Sequence, residues 1–252
     1  ALVPRSANHS LPGNLVVSLT SYKARFEILH LTLRSLLLQE TIPDRLILWI
    51  AEEESEELPE EVLQLQEYGL DIRYCEDTRS YKKIIPALKE FPDSFIATAD
   101  DDLYYEPQWL KRLVENWNGE EKTVVIRLNE AGDPLPYEKW KWEVGPEEAI
   151  DGLIFPTSGA GVLYPPNVFH SNVIDMSEAM EICPDADDIW LYCMLLLNGA
   201  KAIRSDYVMR LVEWPRLDDS SLWQENIKGG GNDRKLSCLQ KVYGSIFSNY
   251  CM

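Results

Sequence analysis

Basic residues are scarce in this chain: 24 Lys and Arg face 42 Asp and Glu, a net charge of −18 over 252 residues. That balance argues against a nucleic-acid surface, which needs clustered cations to neutralise phosphates. It leaves room for a nucleotide ligand, because a metal ion and a few local cations can invert the field inside one pocket. Long hydrophobic runs are also missing. The stretch from Phe26 to Leu38 is interrupted by His30, Thr32, Arg34 and Ser35, so it reads as an amphipathic helix and not as a membrane span. Cysteine pairs are absent as well: Cys75, Cys183, Cys193, Cys238 and Cys251 are odd in number and lack CxxC spacing. Reduced thiols in a cytoplasmic protein are expected, not a disulfide framework or a zinc site. Internal repeats, low-complexity tracts and clear linkers do not occur, which predicts one domain over 11–252. Ala1 to Ser10 look like a protease-site cloning remnant and are set aside, and no secretory leader is read.

What is present is an alternation of short apolar runs and helical periods, with a hydrophobic fraction of 45% that is ample for a core. Asn14 to Thr20, Arg45 to Ile50, Leu70 to Tyr74, Ser94 to Thr98 and Thr123 to Ile126 read as strands. Between them lie helical stretches over Phe26 to Leu37, from Pro59 towards Tyr68-Gly69, over Tyr81 to Leu88, and from Pro107 through Val114. Strands and helices in this order predict an α/β fold, a mostly parallel central sheet with right-handed crossovers. Helical order resumes over Ala186 to Leu197. From Asn129 to Asp151 the pattern dissolves into Pro, Trp, Tyr and Glu. There Tyr137, Trp140 and Trp142 suit either an acceptor platform or a core edge.

The most informative stretch is Phe95 to Tyr105, where an apolar strand runs directly into Asp100-Asp101-Asp102. Three adjacent carboxylates repel one another, so a fold that holds them together needs a partner; a divalent cation with oxygen ligands is the usual one. Open α/β sheets bind ligands outside the carboxyl ends of their strands, which is where this triplet falls. A solvated Asp-rich turn is the plain alternative.

Four further groups carry polar chemistry. Thr20 to Arg25 follow the first strand. Arg79-Ser80-Tyr81-Lys82-Lys83 open a helical segment, with two lysines in an acidic chain. Ser158-Gly159-Ala160-Gly161 has glycines that suit a turn or a close backbone approach to a ligand. Asp187 and Asp188 begin a helix, where they can serve as N-terminal caps or as a general base. Lys82, Lys83 and Arg25 with a divalent ion could balance a diphosphate, although each lysine alone suits a solvated surface equally well.

In this order around an Asp triplet, the motifs Ser18-Leu19-Thr20-Ser21-Tyr22, Tyr81-Lys82-Lys83, Thr98-Ala99-Asp100-Asp101-Asp102, Gly161 to Pro166 and Ala186 to Trp190 resemble glycosyltransferases of the GT-A fold. The likeness is to bacterial family-2-like enzymes of surface-polysaccharide assembly, and it runs from Asn14 to Trp190. It implies a single Rossmann-like domain with a nucleotide-binding half over about 14–128 and an acceptor and catalytic half over about 129–252. Thr20, Tyr22 and Arg25 would then border the base and ribose, with Lys83 and Lys82 near the nucleotide or diphosphate. Asp100 would face the ribose or share the metal, Asp102 would ligate Mn²⁺ or Mg²⁺, and Asp101 would support either role. Ser158, Gly159, Ala160 and Gly161 would approach the donor sugar or acceptor, and Asp188 or its neighbour Asp187 would be the base of an inverting transfer. The implied partners are a nucleotide-sugar donor of UDP type and a glycan or lipid-linked glycan acceptor, met in the cytoplasm or at the inner face of a membrane with peripheral association. His9, His30 and His170 leave no histidine for the tail, where many GT-A enzymes supply a metal ligand; Asn232 and Asp233, after Gly229-Gly230-Gly231, are candidate substitutes.

Two other readings compete. A nucleotidyltransferase would use a glycine-rich basic loop after the first strand, and Ser21 to Arg25 contains no glycine. A carbohydrate- or calcium-binding module is the other; an EF-hand loop starting at Asp100 fails, because Tyr105 stands where the sharp turn requires glycine.

Overall fold

The computed structural model describes residues 2–3, 6–121, 123–126, 130–131, 137–140, 153–205, 212–215 and 230–244. The strands, in chain order, begin with β1 (Leu15–Thr20), β2 (Arg45–Ala51), β3 (Leu70–Cys75), β4 (Phe95–Thr98) and β5 (Leu103–Tyr104). They continue with β6 (Thr123–Ile126), β7 (Glu130–Ala131), β8 (Leu153–Ile154), β9 (Val162–Tyr164), β10 (Lys201–Arg204) and β11 (Val212–Glu213). The helices are α1 (Phe26–Leu37), α2 (Glu60–Leu63), α3 (Ile85–Glu90), α4 (Trp109–Glu115), α5 (Met176–Ile182), α6 (Asp187–Leu197) and α7 (Gly231–Tyr243).

Seven strands form the main sheet in the order β10-β6-β9-β4-β1-β2-β3. All neighbours pair in parallel except β9, which runs antiparallel to both β4 and β6. The mostly parallel sheet expected from the alternation of elements is therefore present, with one reversed strand inside it. Strand residues alternate between the two faces. Leu15, Val17 and Leu19 of β1 join Phe26, Leu29 and Leu33 of α1 and Leu110 and Leu113 of α4 in one cluster. Val16 of β1 meets Ile47, Trp49, Ile96 and Ala87 of α3 on the other. A third cluster surrounds α6, which is buried almost all round and lacks the polar face of a surface helix.

Element ends follow local chemistry. Gly69 closes the segment after α2 with φ of +106°, a left-handed backbone that a side chain resists. Pro107 lies just ahead of α4, whose first helical residue is Trp109, two positions later than the sequence pattern suggests. The pair β5–β11 draws residues 212–214 of the tail beneath the Asp triplet, where Trp214 donates its backbone N–H to the Asp102 carbonyl at 2.9 Å. Among the described residues no helix is long and apolar enough to cross a membrane.

Candidate active site

The reversed direction of β9 explains why two distant segments meet. Thr98, the last residue of β4, pairs with Val162, the first of β9, so the chain leaving β4 and the chain entering β9 lie side by side. The first is Asp100-Asp101-Asp102 and the second is Ser158 to Gly161. The start of α6 and the 3-10 turn Arg79–Lys83 close the same end of the sheet.

Lys83 is the hub. Its Nζ lies 3.0 Å from Asp100 Oδ1, 3.2 Å from Asp187 Oδ2 and 2.5 Å from Ser158 Oγ, and the side chain is buried. Burial alone would lower the pKa of this ammonium, but the charges of Asp100, Asp187 and Asp188 reverse the effect and hold it well above its ordinary value. Lys82, its neighbour, turns elsewhere: its Nζ sits 2.5 Å from Asp77 Oδ1. Of the two lysines only Lys83 faces the Asp triplet here, because a tight 3-10 turn points adjacent side chains in different directions.

Arg25 holds the other end of the triplet. Its Nη1 lies 2.6 Å from Asp101 Oδ1 and 3.0 Å from Asp102 Oδ2. The Ser21 hydroxyl donates to Asp101 Oδ2 at 2.5 Å. Burial works against the charge on Arg25, and Asp101 and Asp102 outweigh it, so the guanidinium pKa is raised. Both oxygens of Asp101 are thus taken inside the protein, and its part is to anchor the turn. Tyr22 is exposed, with the Arg25 guanidinium 5.3 Å from its ring centroid. Thr20 donates its hydroxyl to the Trp49 carbonyl at 2.8 Å and ties β1 to β2.

At the start of α6 neither aspartate caps its own helix. Asp187 accepts from the Ser80 hydroxyl at 2.8 Å, and Asp188 Oδ1 accepts the Ser158 backbone N–H at 3.1 Å. Burial pushes the Asp188 carboxyl up to about 7, with the nearby Asp187 charge adding to the rise and Lys83 and a hydrogen bond with the Ser158 side chain opposing it. Asp188 is nevertheless partly accessible, which leaves a path for an acceptor hydroxyl. A carboxylate poised near neutrality suits general-base work.

Close contact restricts both glycines of the Ser158 loop, Gly161 the more severely. A Cβ at Gly159 would stand 2.9 Å from Asp100 Oδ2, and one at Gly161 (φ of +100°) would stand 2.4 Å from Trp109 Nε1. Ala160 presents its carbonyl to the Trp109 indole N–H at 2.9 Å. Sequence reasoning passed over Tyr105, Trp109, Thr32 and Trp214 as site residues. Tyr105 and Trp109 follow the triplet at helical i, i+4 spacing, the one signal that pointed to them. Thr32 places its Oγ1 2.8 Å from the Asp101 carbonyl and receives the Trp214 indole N–H at 3.0 Å.

Of the two alternatives for the aromatic stretch, the structure places Tyr137 and Trp140 in the core. Tyr137 and Trp140 are buried against Phe155 and belong to the core around α6; Trp142 lies outside the described residues. Asp233 Oδ1 accepts the Tyr137 N–H at 2.8 Å and Asn232 is buried beside it, so both residues dock α7. Gly229 lies outside the described residues. Among the described residues no group of three His, Cys, Asp or Glu side chains converges to hold a metal. Asp100 and Asp102 still fit an ion of the kind bound by one or two carboxylates together with substrate phosphates. Asp100 keeps 33% of its side-chain surface exposed for such a contact. A depression of about 510 Å³ lined by Glu52, Ser55, Glu56 and Tyr74 shares no residue with this site.

Comparison with known proteins shows the family and the fold. The model of a family described as "Glycosyl transferase family 2" matches residues 17–160, from β1 to the Ser158 loop. Among solved structures, Staphylococcus aureus TarS residues 1–349 is similar over 90% of this chain and 73% of its own, with 14% identity and a TM-score of 0.53. TarS in complex with UDP-GlcNAc is similar over 86% and 64%, at 14% identity and a TM-score of 0.51. Mycobacterium tuberculosis glucosyl-3-phosphoglycerate synthase with UDP is similar over 89% and 80%, at 12% identity and a TM-score of 0.50. In another complex of that synthase, with Mn²⁺, UDP and glucosyl-3-phosphoglycerate, the chain spans 44% of the protein at a TM-score of 0.36. No curated protein matches the sequence significantly. These likenesses show the fold, a single GT-A domain.

Proposed function

Since the chain belongs to glycosyl transferase family 2 and is a glycosyltransferase, we propose that it moves a sugar from a nucleoside-diphosphate donor to a hydroxyl of a glycan or lipid-linked glycan, with inversion. The observation that carries this reading is the position of Lys83, whose one ammonium reaches both the triplet at Asp100 and the acidic start of α6 at Asp187. The donor half of the site then spans about 14–128 and the acceptor half about 129–252. UDP is the proposed nucleotide, in keeping with the ligand of the similar TarS complexes. A cytoplasmic location, with peripheral contact at the inner membrane face, belongs to the same proposal.

In this mechanism Thr20, Tyr22 and Arg25 border the base and ribose, and Asp100 and Asp102 would hold Mn²⁺ or Mg²⁺. The ion supplies Lewis-acid stabilisation of the departing diphosphate when bound. Lys83 contributes a second positive charge on the same side, fixed in place before reaction by its three contacts. Asp188 accepts the proton of the acceptor hydroxyl as its oxygen bonds to the anomeric carbon, while the bond from that carbon to the diphosphate oxygen breaks. Ser158 to Gly161 line the space between these groups with backbone. No covalent enzyme intermediate forms.

Calorimetry with UDP in the presence and absence of Mn²⁺, followed by a screen of nucleotide sugars for metal-dependent hydrolysis, tests the reading. Binding of UDP strengthened by the ion is expected. Equal binding with and without it removes the metal from the proposal, and failure of every nucleotide sugar to bind removes the donor class.

A further inference from the structure

We propose that Tyr105, backed by Trp109, is a positioning residue for transfer: its buried hydroxyl sets the spacing between donor-side Asp100 and the loop that carries Ser158 to Asp188. The inference rests on the roles given above to Asp100 and Asp188.

Three observations carry it. Tyr105 Oη accepts the Asp100 backbone N–H at 2.7 Å and donates to the Gly159 carbonyl at 3.0 Å, so a single oxygen bridges the two segments. The side chain is 1% exposed and its ring lies 4.6 Å from that of Trp109, which leaves it no freedom to adjust. Trp109 in turn binds the Ala160 carbonyl, and its indole fills the space where Gly161 would otherwise carry a side chain.

Successive groups of the loop are therefore fixed by different partners: the Ser158 N–H by Asp188, the Gly159 carbonyl by Tyr105 and the Ala160 carbonyl by Trp109. The sheet alone does not do this. Its last ladder contact between the two segments is Thr98 with Val162, short of both Asp100 and Ser158. Beyond that point Gly159 runs so close to Asp100 that an added Cβ would stand 2.9 Å from its Oδ2, and the Tyr105 bridge keeps the two in register. An in-line displacement needs the acceptor oxygen and the leaving diphosphate on opposite sides of one carbon, so an error of about 1 Å between the two segments can reduce turnover about 10²-fold.

The test is Tyr105→Phe in the full chain, which keeps the ring and removes one oxygen. The first readout is NMR amide hydrogen exchange. Faster exchange is expected at Asp100 and also at Ser158, whose N–H bonds Asp188 and not Tyr105. Unchanged protection of Ser158 overturns the proposal. The second readout is kinetic: kcat is expected to fall about tenfold to 10²-fold with the donor KM within about threefold. Leu65→Ala, a core substitution in the segment after α2, supplies a destabilised control. A kcat loss in Tyr105→Phe no greater than in that control also overturns the proposal. Exchange needs no turnover, so a wild-type chain inert towards every nucleotide sugar would defeat the functional reading while the exchange result still decides the role of Tyr105.

Discussion

Two cation–carboxylate clusters divide the three aspartates between them, and they differ in what they leave open. On one side Arg25 and Ser21 take both oxygens of Asp101 and one of Asp102, and Asp101 and Asp102 are almost wholly buried. On the other side Lys83 draws Asp100, Asp187 and Ser158 together, yet Asp100 stays one-third exposed and Asp188 stays partly accessible. A buried ion pair gains little net stability, but leaving one partner alone is costly. Asp101 with Arg25 and Ser21 is therefore scaffold that fixes the turn, and it sets Asp102 beside Asp100 at the proposed ion site. The open one holds charge where a substrate can reach it. The triplet lies in a turn, which aims Asp100 at Lys83 and both Asp101 and Asp102 at Arg25.

Removing the hub should have the largest effect. Lys83→Met would leave Asp100 and Asp187 facing each other without their shared cation. A stability loss of about 3–5 kcal/mol is expected in urea unfolding, from breaking a buried charge pair. Transfer should fall by at least about 10³-fold, since a pre-set charge at the leaving group is lost as well. Turnover within tenfold of wild type would show that the open cluster is scaffold too.

Asp188→Asn should separate chemistry from stability. The amide cannot accept the acceptor proton, so kcat should fall on the order of 10²- to 10⁴-fold. Its oxygen can still take the Ser158 N–H. The folded carboxyl is raised to about 7 from an ordinary 3.8, so holding it ionised destabilises the fold. That penalty is absent below the unfolded value, grows as pH rises from about 4 to 7, and is complete above. Asp188→Asn should thus melt higher than wild type at pH 8, and the gap should close as pH falls towards 4. In the wild type, kcat should rise with pH through about 7, where the base becomes ionised. A melting difference that is flat in pH would mean that Asp188 is not the strained group.

Much of this was legible in the sequence, and the failures have physical reasons. Strands β1 to β4 are short apolar runs bounded by turn residues, and they appear within a residue or two of where the pattern puts them. Strand β9 is three residues long and runs into Pro165-Pro166, too little for a period to register, yet its direction is what brings Ser158 to Asp100. Helix α7 has a largely polar sequence, GNDRKLSCLQKVY, and gives only a weak apolar stripe. The Asp triplet, Lys83 and Asp188 were visible as residue types at element ends. Which of two adjacent lysines faces the triplet was not, because the backbone geometry of a single 3-10 turn decides it. Tyr137 and Trp140 were ambiguous for a related reason: an aromatic side chain suits a sugar-binding face and a core equally well.

The closed cluster should yield a change of the opposite kind, more structural than chemical. Arg25→Lys keeps the charge but loses the planar fork, so one ammonium must replace a guanidinium shared between Asp101 and Asp102. A loss of about 1–3 kcal/mol in urea unfolding is expected from the poorly matched buried carboxylates, with kcat changed less than about tenfold. A raised KM for the donor is also expected, because Arg25 borders the proposed nucleotide site. If kcat fell as far as in Asp188→Asn while stability held, Arg25 would belong with the chemistry and the contrast between the clusters would fail.

The smallest effect is expected at Lys82, the lysine beside the hub. Its side chain is buried, but its ammonium pairs with Asp77, which is more than half exposed, so solvent screens the pair from that side. Lys82→Gln can keep a hydrogen bond to Asp77 and leaves Lys83 with all three of its contacts. Both kcat and the donor KM should stay within about twofold of wild type, a change well below what one transition-state contact contributes. The residue thereby serves as an internal control, one position from Lys83 and of the same charge. A tenfold rise in donor KM for Lys82→Gln would mean that the 3-10 turn rearranges when the nucleotide binds, bringing the second lysine to the phosphates. The division into one open and one closed cluster would then describe only the unliganded chain.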